Sequence, residues 1–301
     1  MLQHFICPDE GKQPVEKCLS GECRMGERCA PLSFLTLAGT ERVWTGKPST
    51  TQLLKGTRQA FLELRTPYDK SPEDNTFAIL GTGVHKLLED SVDDHGFNEE
   101  RVEIEEITGI MDRLEKQQDG SYYLQDFKVT GSFKVAKVLG ITMKDVPVLD
   151  EDGEPLRYRT GKKAREIKTK KQIAYTEPDY GEWLYQLNFY RLAAKKFTGI
   201  DASKIKLFMV VRDGNTHIAK NRGVDRTFYY IDIPLMSEEE ILSYFRYKRD
   251  ALHKALNYEV LPHVCTDEET WNGKRCQDFC PVAQMCREMS QRFPELGQPA
   301  A

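Results

Sequence analysis

Two aspartates stand at positions where they could share a metal ion. Asp112 lies in the segment Thr108 to Glu115 and Asp126 lies in Tyr122 to Val129, and polar and apolar residues alternate in both. Such alternation predicts two β-strands, and Asp119-Gly120 predicts the tight turn that joins them. If the hairpin folds about Asp119, residues whose numbers sum to 238 face each other, so Asp112 faces Asp126. Facing side chains have Cβ atoms about 4.5–5.5 Å apart.

A facing pair of carboxylates predicts a divalent-cation site. Asp112 and Asp126 would repel each other unless a cation lies between them, and oxygen ligands favour Mg²⁺ or Mn²⁺. Such an ion can activate a water molecule and stabilise a leaving oxygen. Because side chains alternate along a strand, Lys128 would share the face of Asp126 and could orient that water, whereas Phe127 would point into a core. The simpler interpretation is two surface aspartates beside a hairpin.

The eight cysteines fall into two terminal groups, with none between residues 30 and 264. In a cytosolic chain, clustered cysteines predict metal binding rather than disulfides. In the second group only Cys276 and Cys280 have the spacing of a zinc-binding pair, so zinc and an iron–sulfur cluster both stay open. Free structural thiols are the simpler alternative. The groups are Cys7, Cys18, Cys23 and Cys29, and Cys265, Cys276, Cys280 and Cys286.

Helical and strand patterns alternate between the two cysteine groups and predict an α/β fold, a curved sheet with helices against it. Serine and acidic residues at Ser237 and Glu240 form a capping box that predicts the start of one long helix. We predict three regions: a cysteine-rich module (1–48), an α/β domain (49–260) and a second cysteine-rich segment with a polar tail (261–301). Other helices are predicted at Ser49 to Leu64, Asn75 to Ser91 and Asp179 to about Lys196, and further strands at Val102 to Glu106, Lys206 to Val211 and Phe228 to Ile233.

Charge is distributed unevenly along a chain whose net charge is −4. That net charge alone does not indicate nucleic-acid binding. One stretch, Glu89 to Glu106, is acidic, and another, Arg157 to Lys171, holds eight basic residues against Glu166. A basic run is most often a solvated face, and the alternative is a contact with DNA phosphates. The basic residues are Arg157, Arg159, Lys162, Lys163, Arg165, Lys168, Lys170 and Lys171.

The apolar residues predict a protein without membrane association. With 40% hydrophobic and 30% charged residues, the composition is that of an ordinary globular protein. No apolar run approaches the roughly 18 residues that a spanning helix needs. The first seven residues lack the basic start and apolar centre of a signal peptide, so a cytoplasmic location is expected.

Four short motifs follow one another along the centre of the chain. They are Gly81-Thr82-Gly83-Val84-His85, Gly109-Ile110-Met111-Asp112, Asp126-Phe127-Lys128-Val129-Thr130-Gly131 and Gln186-Leu187-Asn188-Phe189-Tyr190. In this order they resemble the motifs of the PD-(D/E)XK nucleases. The resemblance is strongest to the RecB-like branch, which includes the AddB nuclease domain and the CRISPR-associated RecB-like exonucleases, and it covers roughly residues 49–290. It implies a restriction-endonuclease-like core, a central mixed β-sheet flanked by helices.

The resemblance also implies residue roles in a metal-dependent DNA exonuclease. Lys128 would assist the attacking water, while Gln186 and Tyr190, four residues apart on one helix face, would line the DNA channel. The implied Mg²⁺ or Mn²⁺ ligands are His85, Asp112, Asp126 and the backbone carbonyl of Phe127 or Val129. A structural histidine and a core tyrosine are the simpler alternatives for His85 and Tyr190. Glu166-Ile167-Lys168 repeats the acid-x-Lys pattern but lacks the family's flanking residues.

The C-terminal cysteines resemble a feature of the same branch. Its members often carry a cysteine triplet that holds a 4Fe-4S cluster, and Cys276, Cys280 and Cys286 look like that triplet. In those relatives a fourth cysteine lies upstream, in the first helix of the core, whereas Lys55 to Gln59 here contains none. The fourth ligand would then be Cys265 or one of the N-terminal cysteines. The N-terminal group would hold a separate zinc ion or a second cluster.

The resemblance implies that the substrate is single-stranded DNA or DNA ends. The expected protein partners are recombination, replication or CRISPR-adaptation proteins. An endonuclease with the same centre is one alternative. A non-catalytic DNA-binding or assembly subunit is another, although the acid and lysine positions are intact. An iron–sulfur redox protein is a third, and the sequence shows no flavin or nucleotide fingerprint for it.

Overall fold

A computed structural model describes residues 1–91 and 96–293. Within these ranges the chain is an α/β protein with both parallel and antiparallel strand pairs, flanked by helices, as predicted at this level. The strands are β1 (Leu2–Ile6), β2 (Lys12–Pro14), β3 (Tyr68–Lys70), β4 (Gly96–Ile104), β5 (Ile107–Lys116), β6 (Tyr122–Thr130), β7 (Ile141–Pro147), β8 (Thr169–Tyr175), β9 (Lys204–Val211) and β10 (Phe228–Ile233). Residues 92–95 of the acidic stretch and 294–301 of the polar tail lie outside the described ranges.

The helices include a 3-10 turn, Pro72–Asn75, directly before α5. They are α1 (Val15–Ser20), α2 (Leu32–Gly39), α3 (Thr50–Leu53), α4 (Thr57–Arg65), α5 (Thr76–Asp90), α6 (Ser132–Val138), α7 (Glu182–Thr198), α8 (His217–Asn221), α9 (Glu238–Tyr258), α10 (Asp267–Thr270), α11 (Lys274–Asp278) and α12 (Ala283–Arg292). No described helix is long and apolar enough to cross a membrane.

The chain forms two compact units, each assembled from segments that are distant in sequence. The first unit comprises Met1–Asp126, Tyr185–Ile205 and Pro234–Ala301. The second comprises Phe127–Leu184 and Lys206–Ile233. The boundary falls within β6, so that Asp126 ends one segment of the first unit and Phe127 opens the second unit.

In the first unit, β4, β5 and the first half of β6 are antiparallel neighbours. The β5–β6 pairs run from Arg113 opposite Gln125 to Lys116 opposite Tyr122, so residue numbers sum to 238 as predicted. The connecting turn is closed by the backbone N–H of Gln117, which donates to the carbonyl of Ser121 at 2.8 Å. Gly120 has φ 83°, a conformation that glycine adopts without steric cost.

The long helix α9 begins as its capping box predicts, because the hydroxyl of Ser237 accepts from the backbone N–H of Glu240. One face of α9 is buried, with apolar residues at helical spacing. On this face Phe245 lies 4.7 Å from Phe189 of α7, measured between ring centroids. The outer side carries Arg246, which forms an ion pair with Glu105 of the turn between β4 and β5. The buried residues include Ile241, Phe245, Leu252 and Leu256.

The single helix predicted from Ser49 to Leu64 is wrong, because the segment forms two helices. Ser49 and Gln52 make a capping box that starts α3, which ends at Leu53. Gly56 then has φ −61° and ψ 140°, an extended conformation that caps the start of α4. The break also makes room for Cys265, whose Sγ would lie 2.1 Å from a Cβ atom built on Gly56.

At the N-terminus, β1 pairs antiparallel with β2 and parallel with β3. Asp69 of β3 joins all three strands, since its carboxylate accepts hydrogen bonds from His4 of β1 and Lys12 of β2. A small apolar core packs beneath the sheet, with Cys18 as a member. Its buried residues are Phe5, Cys18, Leu35 and Ala38.

The second unit contains a long antiparallel pair, β7 and β8, from Ile141 opposite Tyr175 to Pro147 opposite Thr169. It also contains the second half of β6, beside which β9 and then β10 follow in strand order. Asp213 secures the helix after β6, because its carboxylate accepts from the backbone N–H and the hydroxyl of Ser132, both at 2.6 Å.

Candidate metal centre

Three carboxylates of the first unit occupy corresponding positions on three neighbouring strands. Arg113 pairs with Gln125, so the next position of the same register places Asp112 of β5 opposite Asp126 of β6. On the other side of β5, the pairs that flank Glu99 place this residue of β4 opposite Asp112. The register thus gives a row of acidic residues that crosses the sheet.

A histidine completes the group. The Nδ1 atom of His85, on α5, lies 3.4 Å from Oδ2 of Asp112. Among the described residues, one ligand atom each from His85, Glu99 and Asp112 lie within 4.8 Å of one another. Imidazole nitrogen combined with carboxylate oxygen is a donor set that suits Mn²⁺ and other divalent transition metals, and the carboxylates also suit Mg²⁺.

Glu99 reaches this position through an unusual backbone conformation. Its φ of 48° lies in the left-handed region, which residues other than glycine seldom adopt. Such a conformation costs on the order of 1–3 kcal/mol and is concentrated at functional sites. In β4 the departure from regular strand geometry therefore coincides with the residue whose carboxylate joins the group.

The group is shielded from solvent to different degrees. Asp126 is 1% exposed, whereas the side chains of Asp112 and His85 are 9% and 24% exposed. Burial of carboxylates is unfavourable unless positive charge accompanies them. A divalent cation bound here would supply that charge, with His85 on the more open side for exchange with water.

The residues that follow Asp126 belong to the second unit. Lys128 lies two positions further along β6 and is half-buried, as is Val129. The expectation that Phe127 points into a core was wrong, because its ring is also half-buried. It makes an edge contact with Phe208 at 6.2 Å.

Gln186 and Tyr190 share one face of α7 and are joined by a hydrogen bond of 3.0 Å between Nε2 and Oη. The Tyr190 hydroxyl also lies 3.0 Å from Oγ1 of Thr50, and the residue is 5% exposed. A Cβ atom at Gly109 would lie 2.4 Å from Cε1 of Tyr190. The tyrosine therefore packs directly on β5, three residues before Asp112, and helps to position that strand.

The basic run from Arg157 to Lys171 is exposed at all eight basic residues. It folds back on itself, with Arg157 bridged to Ile167, and continues the β7–β8 pair. Lys171 makes an ion pair of 2.8 Å with Asp145 on the neighbouring strand. An exposed basic arm of this kind is available to a polyanion, and its contact with DNA stays a prediction.

The C-terminal cysteines pack against α4. Burial is the main cause that raises the pKa of Cys265 to about 11, and Glu269 and the nearby thiols of Cys286 and Cys276 contribute to the increase. Burial is likewise the main cause that raises the pKa of Cys280 to about 11, and Glu63, Cys276 and Cys265 contribute to the increase. The four thiols are therefore near one another, and Cys265 lies against Gly56 at the start of α4.

The N-terminal cysteines are also grouped. Burial raises the pKa of Cys18, and the thiols of Cys23, Cys29 and Cys7 add to that effect. Within residues 1–91 and 96–293, no three sulfur atoms of either group lie within 4.8 Å of one another. Sulfur atoms around one zinc ion would be about 3.8 Å apart, given a Zn–S distance of about 2.3 Å. The described residues therefore do not form a closed zinc site at either group.

Sequence reasoning missed Glu99. The first strand of the sheet was expected to begin at Val102, but it begins at Gly96, so Glu99 was counted with an acidic stretch instead. The signal lies in the hairpin formed by β4 and β5. Residues that face each other in this hairpin have numbers that sum to 211, so Glu99 faces Asp112. Treating both hairpins with the same arithmetic would have found the residue.

No protein-family model matches this chain, and no curated protein is significantly similar to it. Among solved structures, the crystal structure of SSO0001 aligns with 91% of this chain and 94% of its own, with a TM-score of 0.41 and 13% sequence identity. A likeness at that level does not bear on the fold or the function.

Proposed function

We propose that this protein is a metal-dependent DNA nuclease of the PD-(D/E)XK superfamily, in the RecB-like branch, with a restriction-endonuclease-like core. The observation that carries the proposal is the convergence of His85, Glu99 and Asp112 within 4.8 Å of one another, next to the strand that carries Asp126. Three of these four residues are the ones that the motif resemblance implies as ligands. The substrate would be single-stranded DNA or DNA ends.

The chain's own residues divide the work as follows. Asp112, Asp126 and His85 would hold Mg²⁺ or Mn²⁺, with Glu99 as a further ligand from β4. The ion, when bound, supplies a Lewis acid for a phosphate oxygen and lowers the pKa of a water molecule. Lys128, two residues after Asp126 in the same strand, would donate a hydrogen bond to the attacking water or to the charge that develops on the phosphate.

The C-terminal cysteines would bind a 4Fe-4S cluster with a structural role. The proposal rests on the resemblance of Cys276, Cys280 and Cys286 to the cysteine triplet of the RecB-like branch, and one contact supports it: Cys265 lies against the start of α4. Cys265 thus brings a thiol to the helix in which the relatives carry their fourth cysteine. The N-terminal cysteines would form a separate site, for zinc or a second cluster.

The direct test is incubation of the purified protein with end-labelled linear DNA and with circular DNA, in Mn²⁺, Mg²⁺ or EDTA. An exonuclease degrades only the linear DNA, whereas an endonuclease with the same centre also opens the circle. Asp126→Ala should lower the rate by more than about a hundredfold, since groups that only orient a metal ligand are already worth about 10–100-fold.

Asp250→Asn is the matched control, because Asp250 is exposed on α9 and pairs only with its neighbour Arg249 among the ion pairs of the described residues. Circular dichroism would show whether each variant is folded. Undiminished cleavage by folded Asp126→Ala protein would refute the proposed site.

A further inference from the structure

A group of four aromatic rings lies on one side of the sheet in the second unit, and two of the four are exposed to solvent. We call it the aromatic face and define it as Phe127 of β6, Phe208 of β9, and Phe228 and Tyr230 of β10. Phe228 and Tyr230 are 55% and 45% exposed. Phe208 is the centre of the group, at 6.2 Å from Phe127, 5.8 Å from Phe228 and 6.4 Å from Tyr230 between ring centroids.

The exposure of these rings is a consequence of strand alternation. In β9 the residues Leu207, Met209 and Val211 are buried on one side of the strand. Phe208 therefore projects from the opposite side, together with Lys206. A solvated strand face normally carries polar residues. It is therefore unusual that each of three neighbouring strands contributes at least one aromatic side chain to this face.

Several lysine and arginine side chains of this unit lie over aromatic rings. The Nζ atom of Lys206 lies 5.2 Å from the centroid of Tyr230 and 2.9 Å from Asp232. Lys134 lies 4.7 Å from the centroid of Trp183. Arg222 and Lys137 approach Phe133 at 5.9 Å and 6.0 Å.

The second unit is also the basic part of the chain. It holds 17 lysines and arginines against 12 aspartates and glutamates, a formal net charge of +5. Because the whole chain has a net charge of −4, the remaining residues carry −9. A polyanion is therefore attracted to the unit that carries the aromatic face and repelled by the other.

We propose that the aromatic face binds single-stranded nucleic acid by stacking its bases on Phe228, Tyr230 and their neighbours. Exposed rings beside basic groups are how proteins bind unpaired strands without sequence preference. The bases of a duplex are already stacked on one another, so they are not accessible to the exposed rings. The positive charge of this unit favours a ligand with phosphate groups over an apolar protein partner. The inference rests on the proposed function only in so far as the bound strand is taken to be the substrate.

The test is fluorescence anisotropy with a labelled oligothymidylate, in EDTA so that no cleavage occurs. An abasic oligomer of the same length measures attraction to phosphate alone, and a duplex measures binding without accessible bases. We expect oligothymidylate to bind more tightly than either. Phe228→Ala and Tyr230→Ala should each lower its affinity about 5- to 150-fold, the equivalent of one stacked base, and leave the abasic affinity unchanged.

Tyr258→Ala is the control, because Tyr258 is an even more exposed aromatic residue, at the end of α9 in the first unit. Unchanged oligothymidylate affinity in both folded variants would overturn the proposal. Equal losses for oligothymidylate and the abasic oligomer would overturn it as well, since stacking would then contribute nothing. Self-association of the wild type that Phe228→Ala abolishes, without an effect on oligonucleotides, would reassign the face to contact between copies.

The outcomes also separate this inference from the nuclease proposal. If Phe228→Ala and Tyr230→Ala keep both metal-dependent cleavage and the affinity for oligothymidylate, only the proposal that the aromatic face binds nucleic acid is contradicted. Base-dependent binding in EDTA by a protein that never cleaves DNA contradicts the nuclease proposal alone.

Discussion

Substitution of Gly56 by alanine tests whether the C-terminal cysteine segment is fixed to α4. The added Cβ would lie 2.1 Å from Sγ of Cys265 and 2.7 Å from its Cβ, distances that real atoms do not show. The backbone is not the obstacle, because φ −61° and ψ 140° are accessible to alanine. The thiol of Cys265 must therefore move, and with it the segment that leads into α10.

The size of the effect follows from two opposing contributions. Overpacking a filled site costs about 1–3 kcal/mol, whereas glycine-to-alanine substitution stabilises by about 0.4–1 kcal/mol through the unfolded chain. Gly81→Ala, on α5, isolates the second contribution, because nothing lies within 4 Å of its added Cβ. We expect Gly56→Ala to melt below Gly81→Ala by about 2–12 °C, at about 2–4 °C per kcal/mol.

Metal analysis of anaerobically purified protein gives the second readout. If Cys265 is a ligand, Gly56→Ala lowers the iron and sulfide content per chain, and Gly81→Ala does not. The double substitution Gly56→Cys and Cys265→Ala returns a thiol to the same place and should hold more metal than Cys265→Ala alone. Equal melting temperatures and equal metal content in Gly56→Ala and Gly81→Ala would refute the reasoning.

Three further predictions concern the sites and the N-terminal sheet. Glu99→Gln should weaken Mn²⁺ binding in calorimetry while Glu103→Gln, on the same strand, should not; equal affinities would remove Glu99 from the ligand set. Gly109→Ala should lower both thermal stability, by about 1–3 kcal/mol, and cleavage, because its Cβ would meet Tyr190 at 2.4 Å; a stable, fully active variant would contradict this. Burial raises the pKa of Asp69, but hydrogen bonds from Lys12 and His4 outweigh it and leave the pKa below its usual 3.8. Because the folded pKa is the lower one, the stabilisation is present above pH 3.8 and is lost as pH falls through the folded value. Asp69→Asn should thus be less stable at pH 7, with a smaller further loss below pH 4 in urea titrations.

The parts of the fold that sequence predicts are those fixed by local chemistry. Asp119-Gly120 selects a tight turn and the alternation beside it selects a face, so the β5–β6 register follows without tertiary information. The capping box of Ser237 and Glu240 likewise marks the start of α9. In both cases the determining residues lie within a few positions of one another.

The parts that sequence does not predict depend on partners far along the chain. Gly56 looks like a weak point in one helix until Cys265 is seen to occupy its side-chain space. Phe127 has the alternation of a core residue, yet it is only half-buried, and its ring makes an edge contact with Phe208 of β9. Periodicity shows which side of a strand is apolar but not whether another element covers it.

Contacts within the first unit connect the candidate metal centre to the C-terminal cysteines. The strand of Asp112 carries Gly109, on which Tyr190 packs, and the Tyr190 hydroxyl lies against Thr50 of α3. The backbone of α3 leads through Gly56 into α4, where Cys265 is seated. Disruption of the C-terminal cysteines should therefore change the position of Asp112 through these packing contacts, because the cysteines themselves take no part in the proposed reaction. Cleavage and thermal stability of Cys280→Ala should fall together, with the metal dependence of cleavage unchanged. An unchanged melting temperature together with lost cleavage would instead place the cysteine site in the reaction itself.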